Sequence, residues 1–156
     1  GDFLIKCFKD AGLNIEIDYM DWPTFLDKIK TKSAQMFGLG WVADIPDSEN
    51  FLQLFYSRNI STGPNNFHYS SPEFDKIYEQ IRVMQDCPER TELYRKAERI
   101  VMEDAPAVFI LHGVAYILTH DWLYNYKPHA FAYGLSKYRR IDVEKRENYR
   151  KIFKDF

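Results

Sequence analysis

The sequence lacks the features that mark several common protein classes. It has only two cysteines, Cys7 and Cys87, far apart and with no CxxC pair or companion histidines. That argues against a disulfide framework or a zinc site, while leaving a single bridge open. No apolar run is long enough to cross a bilayer. The longest, Ala105 to Leu118, is broken by His112 and Gly113 and falls short of the ~20 residues a spanning helix needs. Neither sign of charge predominates: 21 Lys and Arg against 23 Asp and Glu give a formal net charge of -2, without the cationic face that nucleic-acid binding draws on. Enzyme signatures are missing as well, with no GxSxG elbow, no Gly-rich phosphate loop and no HExxH. His68, His112, His120 and His129 fall on different elements without metal-ligand spacing. The paired carboxylates occupy cap positions or helix faces, where solvation and the helix dipole account for them. No catalytic residue, metal site or cofactor is expected.

What is present is the makeup of one folded domain, 156 residues with 46% apolar and 17% aromatic side chains, which excludes a disordered chain. There is no internal repeat and no low-complexity tract. Gly1-Asp2-Phe3-Leu4 runs directly into helical spacing, with no signal peptide and no initiator methionine, so the chain reads as a piece of a longer protein. Leu4, Cys7, Phe8 and Ala11 mark a first helix closed by Gly12. Ile15, Ile17 and Tyr19 alternate with acids as a half-buried strand. Asp21 and Pro23 open a second helix carrying Trp22, Phe25, Leu26 and Ile29 inward. Met36 to Trp41 reads as a strand parallel to the first, joined by a right-handed crossover. Residues 47 to 57 form a short helix, and residues 57 to 71 a loop centred on Ser61 to Asn66. Ser71-Pro72-Glu73 starts a helix on Phe74, Ile77, Tyr78, Ile81 and Met84. Asp86 to Glu89 resembles a capping box for the next, with Leu93, Tyr94, Ala97, Ile100 and Val101 inward and Asp104-Ala105-Pro106 as its stop. A buried strand at Val108 to Leu111, a second run at Val114 to Leu118, an aromatic irregular stretch and a last strand within Lys137 to Asp142 follow. Val143 to Phe156 is a charged helix with a narrow stripe of Tyr149, Ile152, Phe153 and Phe156.

The segment Phe37 to Asp47 stands out. Ligands of open α/β sheets sit beyond the carboxyl ends of strands, and here a strand ending at Trp41 is followed by Asp44. A Trp offers a flat apolar face and an Asp an anion for a ligand ammonium. Spacing alone favours the plainer assignment, with Trp41 in the core and Asp44 capping the helix near Asp47.

Four motifs, in order and at compatible spacing, change that weighting. They are Gly40-Trp41-Val42-Ala43-Asp44-Ile45-Pro46-Asp47, Asn65 to Asp75, Glu89-Arg90 with Leu93-Tyr94, and Asp104 to Phe109. In them the chain resembles the C-terminal part of the extracytoplasmic solute-binding proteins of peptide-type ABC importers. The resemblance covers nearly the whole chain and is weakest in the last dozen residues. It implies an α/β lobe of a two-lobed periplasmic-binding-protein-like fold, a mixed sheet with flanking helices. Residues 1-135 would form the ligand-binding lobe and 136-156 the returning strand and tail helix. It implies capture of small peptides outside the cytoplasm, in the periplasm or on a cell-surface lipoprotein, and delivery to a membrane permease, without catalysis or nucleic acid.

By position, Asp44 would pair with the peptide α-amino group, and Trp41 would line the same pocket while also serving the core. Asn65 and Asn66 lie in a region that faces the cleft in such proteins, although Asn is also ordinary turn chemistry. Phe67 and Tyr69 line the cleft or pack beneath the loop, and Asp75 is structural. Ile45, where many relatives carry an aromatic residue, and Ser48, where many carry proline, loosen the assignment to one subgroup. The family also holds binders of oligosaccharides and nickel complexes, and a stand-alone interaction domain on the same fold is the alternative from another class. Without the opposing lobe, weak peptide affinity and self-association through exposed apolar surface are expected.

Overall fold

The structure, a computed structural model, describes residues 1–60 and 63–152. Ser61 and Thr62 of the expected loop, and Phe153 and Phe156 of the expected tail stripe, lie outside the described residues.

Local signals account for the helices. α1 (Asp2–Asp10) is followed by Gly12 in the left-handed region, φ +82°. α2 (Trp22–Lys30) begins where the Asp21 carboxylate accepts the Thr24 N–H at 3.0 Å, with Pro23 in the first turn. α3 (Glu49–Leu52) tightens into 3₁₀ turns at Gln53–Phe55 and Ser57–Asn59. α4 (Pro72–Ile81) is capped by the Ser71 hydroxyl, which accepts the Phe74 N–H at 3.4 Å. α5 (Pro88–Asp104) starts after Cys87, whose side chain makes no cap bond. Proline at the first position, which fixes φ and has no N–H to satisfy, starts the helix in place of the expected capping box.

α4 packs on α5 with α3 against both, around buried Leu52, Phe55, Tyr56, Phe74, Tyr78, Ile81, Ala97 and Val101. The inward faces expected of α4 and α5 are the faces buried here. Aromatic rings carry much of this core: Phe74 stacks on Tyr78 at 6.0 Å between centroids, and Phe55 stacks on Phe67 at 5.2 Å.

α5 ends at Ala105, held left-handed at φ +46° while its N–H donates to the Val101 carbonyl. A non-glycine residue there carries roughly 1–2 kcal/mol of strain, against about 1 kcal/mol of backbone entropy that glycine adds to the unfolded chain. Strain wins. Ala105→Gly is expected to raise the thermal midpoint by about 2 °C, a shift suited to a chain of this size; a lowered midpoint in a calorimetric scan would contradict it.

The sheet differs most from expectation. The described strand pairing is antiparallel, β1 (Leu123–Tyr124) with β2 (Arg140–Ile141), so the expected last strand shortens to two residues behind a 3₁₀ turn at Leu135–Tyr138. Residues 15–19, 36–41, 108–111 and 114–118 carry no ladder among the described residues, and the parallel crossover pair does not form. Val108 to Leu111, expected to be buried, is exposed, with Val108 at 79%, and Leu118 of the next run is at 96%. The reason is physical. A helix satisfies its own backbone, whereas a strand needs a neighbour for every second N–H and C=O. The chain presents 12952 Å² to solvent, whereas a compact monomer of its mass presents about 8,200 Å². α6 (Val143–Ile152) buries no residue, and Lys145 ties it to Asp121 at 2.8 Å.

Candidate functional site

The segment from Trp41 to Asp47 has no regular structure of its own; α3 holds it in place. Asn50, 7% exposed on α3, is the brace. Its Oδ1 accepts the Trp41 indole N–H at 3.0 Å and the Asp44 backbone N–H at 3.3 Å. One side-chain oxygen thereby fixes both residues singled out in the sequence. The Asp44 side chain is exposed, and no described group donates to its carboxylate. Asp44 does not cap α3, whose N-cap Ser48 makes no side-chain cap bond; the carboxylate bonded at its start is that of Asp47, whose Oδ1 accepts the Glu49 N–H at 2.9 Å. Trp41 is 36% exposed: its N–H is occupied while part of the ring is open, so it serves packing and surface together.

Asp47 is also the meeting point of two motifs distant in sequence. Its Oδ2 accepts from Arg90 Nη1 at 2.9 Å, and its Oδ1 accepts from the Tyr94 hydroxyl. Arg90 donates its Nε–H to the Ile81 carbonyl at 3.1 Å and lies over the Tyr94 ring at 5.0 Å. Burial alone would raise the Asp47 carboxyl, but the Tyr94 hydroxyl, the Glu49 N–H and Arg90 together outweigh it and hold it below the usual range. This cluster ties the site segment to the end of α4 and the first turns of α5. Sequence reasoning did not assign it, although Asp47, Arg90 and Tyr94 all sat in the motifs that carried the resemblance.

The second loop is built differently. Asn65 is 0% exposed. Its Nδ2 donates to the carbonyls of Tyr56 at 3.0 Å and Tyr69 at 2.9 Å, while its own N–H donates to Asn59 O at 3.2 Å. Its Oδ1 meets no donor among the described residues. The expectation that Asn65 faces a cleft is therefore corrected. Tyr56 and Tyr69 each leave a carbonyl turned inward, and an amide with two N–H groups satisfies both. Asn66 is half-buried, its N–H bonded to Pro64 O at 2.9 Å. Gly63 passes so close to Asn59 that a Cβ would lie 2.7 Å from the Asn59 Cβ.

Phe67 packs under the loop between Phe55 and Phe37, the latter at 5.9 Å between centroids, and Tyr69 packs edge-on to Phe74. The Tyr69 phenol is pushed up to about 12, by burial first and then by its bond to Asp104. Asp75 is structural, as expected, accepting the Ser57 N–H at 3.1 Å and the Ser57 hydroxyl. The structure thus joins Trp41 and Asp44 through Asn50 and places Asn65 and Asn66 on a separate loop. Among the described residues no group of three or more His, Cys, Asp or Glu could hold a metal ion, and no helix is long and apolar enough to cross a membrane.

No family model matches the chain. It is 33% identical over 115 residues to the oligopeptide-binding protein OppA of Bacillus subtilis, an alignment covering 74% of this chain and 20% of that protein. It is 31% identical over 118 residues to the periplasmic oligopeptide-binding protein OppA of Salmonella typhimurium, covering 76% of this chain and 21% of that one. Among solved structures it is similar to the ABC transporter-associated periplasmic binding protein DppA from Helicobacter pylori in complex with peptide STSA. That match has a TM-score of 0.61 and 28% identity over 67% of this chain and 21% of the other. The unliganded open form of the murein tripeptide-binding protein MppA matches with a TM-score of 0.57 and 28% identity, over 64% of this chain and 19% of the other. The chain spans about a fifth of the length of the curated relatives it matches.

Proposed function

The chain belongs to the extracytoplasmic oligopeptide- and dipeptide-binding proteins, with the α/β architecture of one lobe of their fold, and on that premise we propose that it supplies the lobe that holds the amino end of a small peptide. In this reading the Asp44 carboxylate pairs with the ligand ammonium, the open part of the Trp41 ring lines the same space, and Asn66 borders it. Asn65 acts behind the surface by holding its loop. Residues 1-135 form the binding lobe and 136-156 the return and tail. A second lobe closes on the peptide, and a membrane permease of an ABC importer receives it, all outside the cytoplasm. The function is capture without catalysis.

The observation that carries this is the state of Asp44. Its backbone is pinned through Asn50, so the segment is ordered, yet its carboxylate is exposed and unpaired among the described residues. An ordered, unpaired anion is preorganised for a cationic partner, and a hydrogen-bonded charge pair contributes more than a neutral contact. The test is titration of a short peptide, and of its N-acetylated form, into the two-lobed protein carrying this chain. Asp44→Ala is expected to weaken the free-amine peptide about tenfold, the scale of one charge-assisted bond, and to leave the acetylated peptide unchanged. Equal affinity of wild type and variant for the free-amine peptide would remove Asp44 from the site. On its own the chain should bind peptide weakly, because the second lobe that closes on the ligand is not there to complete the enclosure.

A further inference from the structure

Residues 125–139 form a loop whose two ends are held together three times. β1 and β2 pair Leu123 with Ile141 and Tyr124 with Arg140. Asn125, left-handed at φ +59°, donates its Nδ2 to the Tyr138 carbonyl at 3.1 Å. The Arg139 guanidinium lies over the Tyr126 ring, 4.7 Å from its centroid. Compact surface loops with closed ends are frequently functional. This one encloses an open pocket of about 600 Å³, together with Ile117 from the preceding segment.

The chemistry of the pocket is one-sided. Lys127, His129 and Arg139 line it with Tyr126 and Tyr133, and no Asp or Glu does. Neither Lys127 nor Arg139 is in an ion pair among the described residues. His129 is locked by its own turn: Nδ1 accepts the N–H of Phe131 at 3.0 Å and of Ala132 at 2.9 Å. The ring proton therefore sits on Nε2, which leaves His129 as a donor to the pocket. In a chain of net charge -2, two unpaired cations and a fixed N–H donor beside two phenol rings form a local site for negative charge.

We infer that the 125–139 loop binds an anionic group, a carboxylate or phosphate carried by a small solute. Arg139 is the principal contact, held in place by Tyr126, with Lys127 and His129 beside it. A guanidinium lying over a ring keeps its N–H edges free, and the ring restricts the rotamers that a forked contact would otherwise have to freeze. The site is separate from Asp44, which is itself an anion, and the inference does not depend on the peptide reading.

The test uses the two-lobed protein carrying this chain, with inorganic phosphate and succinate as probes, each run against sodium chloride at matched ionic strength. The readouts are the NMR signals of the Arg139 Nε–H and the His129 ring. A saturable shift with phosphate or with succinate, not reproduced by chloride, is expected, and the tighter probe identifies the source of the charge. Arg139→Gln should weaken binding about tenfold, and Tyr126→Leu, which keeps every charge, should weaken it several-fold by releasing Arg139. Signals from α4 and α5 report that each variant is folded. If Arg139→Gln disturbs the loop, Lys127→Gln provides the same reading from the other lining cation. Shifts that chloride reproduces, the absence of saturation with both probes, or unchanged isotherms in Arg139→Gln and Lys127→Gln would each overturn the site.

Discussion

Replacing Asp47 with alanine should destabilise the chain by about 3 kcal/mol, among the largest effects of any polar substitution in it. Buried pairs broken on one side cost roughly 3–5 kcal/mol, because the surviving charge stays desolvated without its partner, while exposed pairs are worth about 0–1 kcal/mol. The Arg90 and Asp47 side chains are 11% and 26% exposed, which places the pair near the lower end of the buried class. By contrast, Lys28–Asp18 is 40% and 70% exposed and belongs to the other class. Asp47→Ala also removes the acceptor of the Tyr94 hydroxyl and of the Glu49 N–H. Urea unfolding of the variant measures the loss, and a value under about 1 kcal/mol would reassign the cluster to the surface class. Double-mutant cycles with Arg90→Gln and Tyr94→Phe separate the two partners.

The pH dependence follows from the same cluster. The folded Asp47 carboxyl sits below its ordinary value, so the unfolded chain takes up its proton first. The stabilisation is present above the unfolded pKa of about 3.9 and is lost as pH falls through the folded value. Stability of the wild type should therefore fall on acidification below about pH 4, and the Asp47→Ala variant should lose that part of the slope.

The helices were legible because their determinants are local. Asp21 lies three residues from the N–H it caps, as does Ser71, and Pro72 and Pro88 mark their starts. The strands were legible only as patterns: Val108 to Leu111 and Val114 to Leu118 have the apolar character of buried strands, but a pattern does not contain its partner. The site divides in the same way. Asp44 and Trp41 stood out by residue type and motif, whereas Asn50, which orders both, reads as one more polar helix residue. Asp47 meets Arg90 and Tyr94 across 43 and 47 residues, a distance no local rule spans. Asn65 misled for a different reason. Asn in a Gly- and Pro-containing loop signals an exposed turn, and only the folded backbone shows two carbonyls that needed its amide.

That hidden role of Asn50 leads to the second large effect. Asn50→Ala removes the acceptor shared by the Trp41 indole and the Asp44 N–H. An unsatisfied buried donor costs roughly 1–3 kcal/mol. Trp41 and Asp44 are partly open, so water recovers some of that cost for each, and a total loss of about 2 kcal/mol in urea unfolding is expected from the two bonds. The Gln53 side-chain N–H bond to the Asn50 carbonyl involves only the Asn50 backbone and should survive. The functional consequence separates positioning from packing. With its backbone anchor gone, Asp44 samples orientations that do not meet a ligand ammonium, so affinity for a free-amine peptide should fall several-fold in the two-lobed protein. In an Asp44→Ala background the same Asn50→Ala change should leave that affinity unaltered, because there is no carboxylate left to aim. Additive losses in the double variant would mean that Asn50 supports the pocket by packing alone. A null second step would mean that one amide oxygen on α3 holds the peptide-facing anion in place.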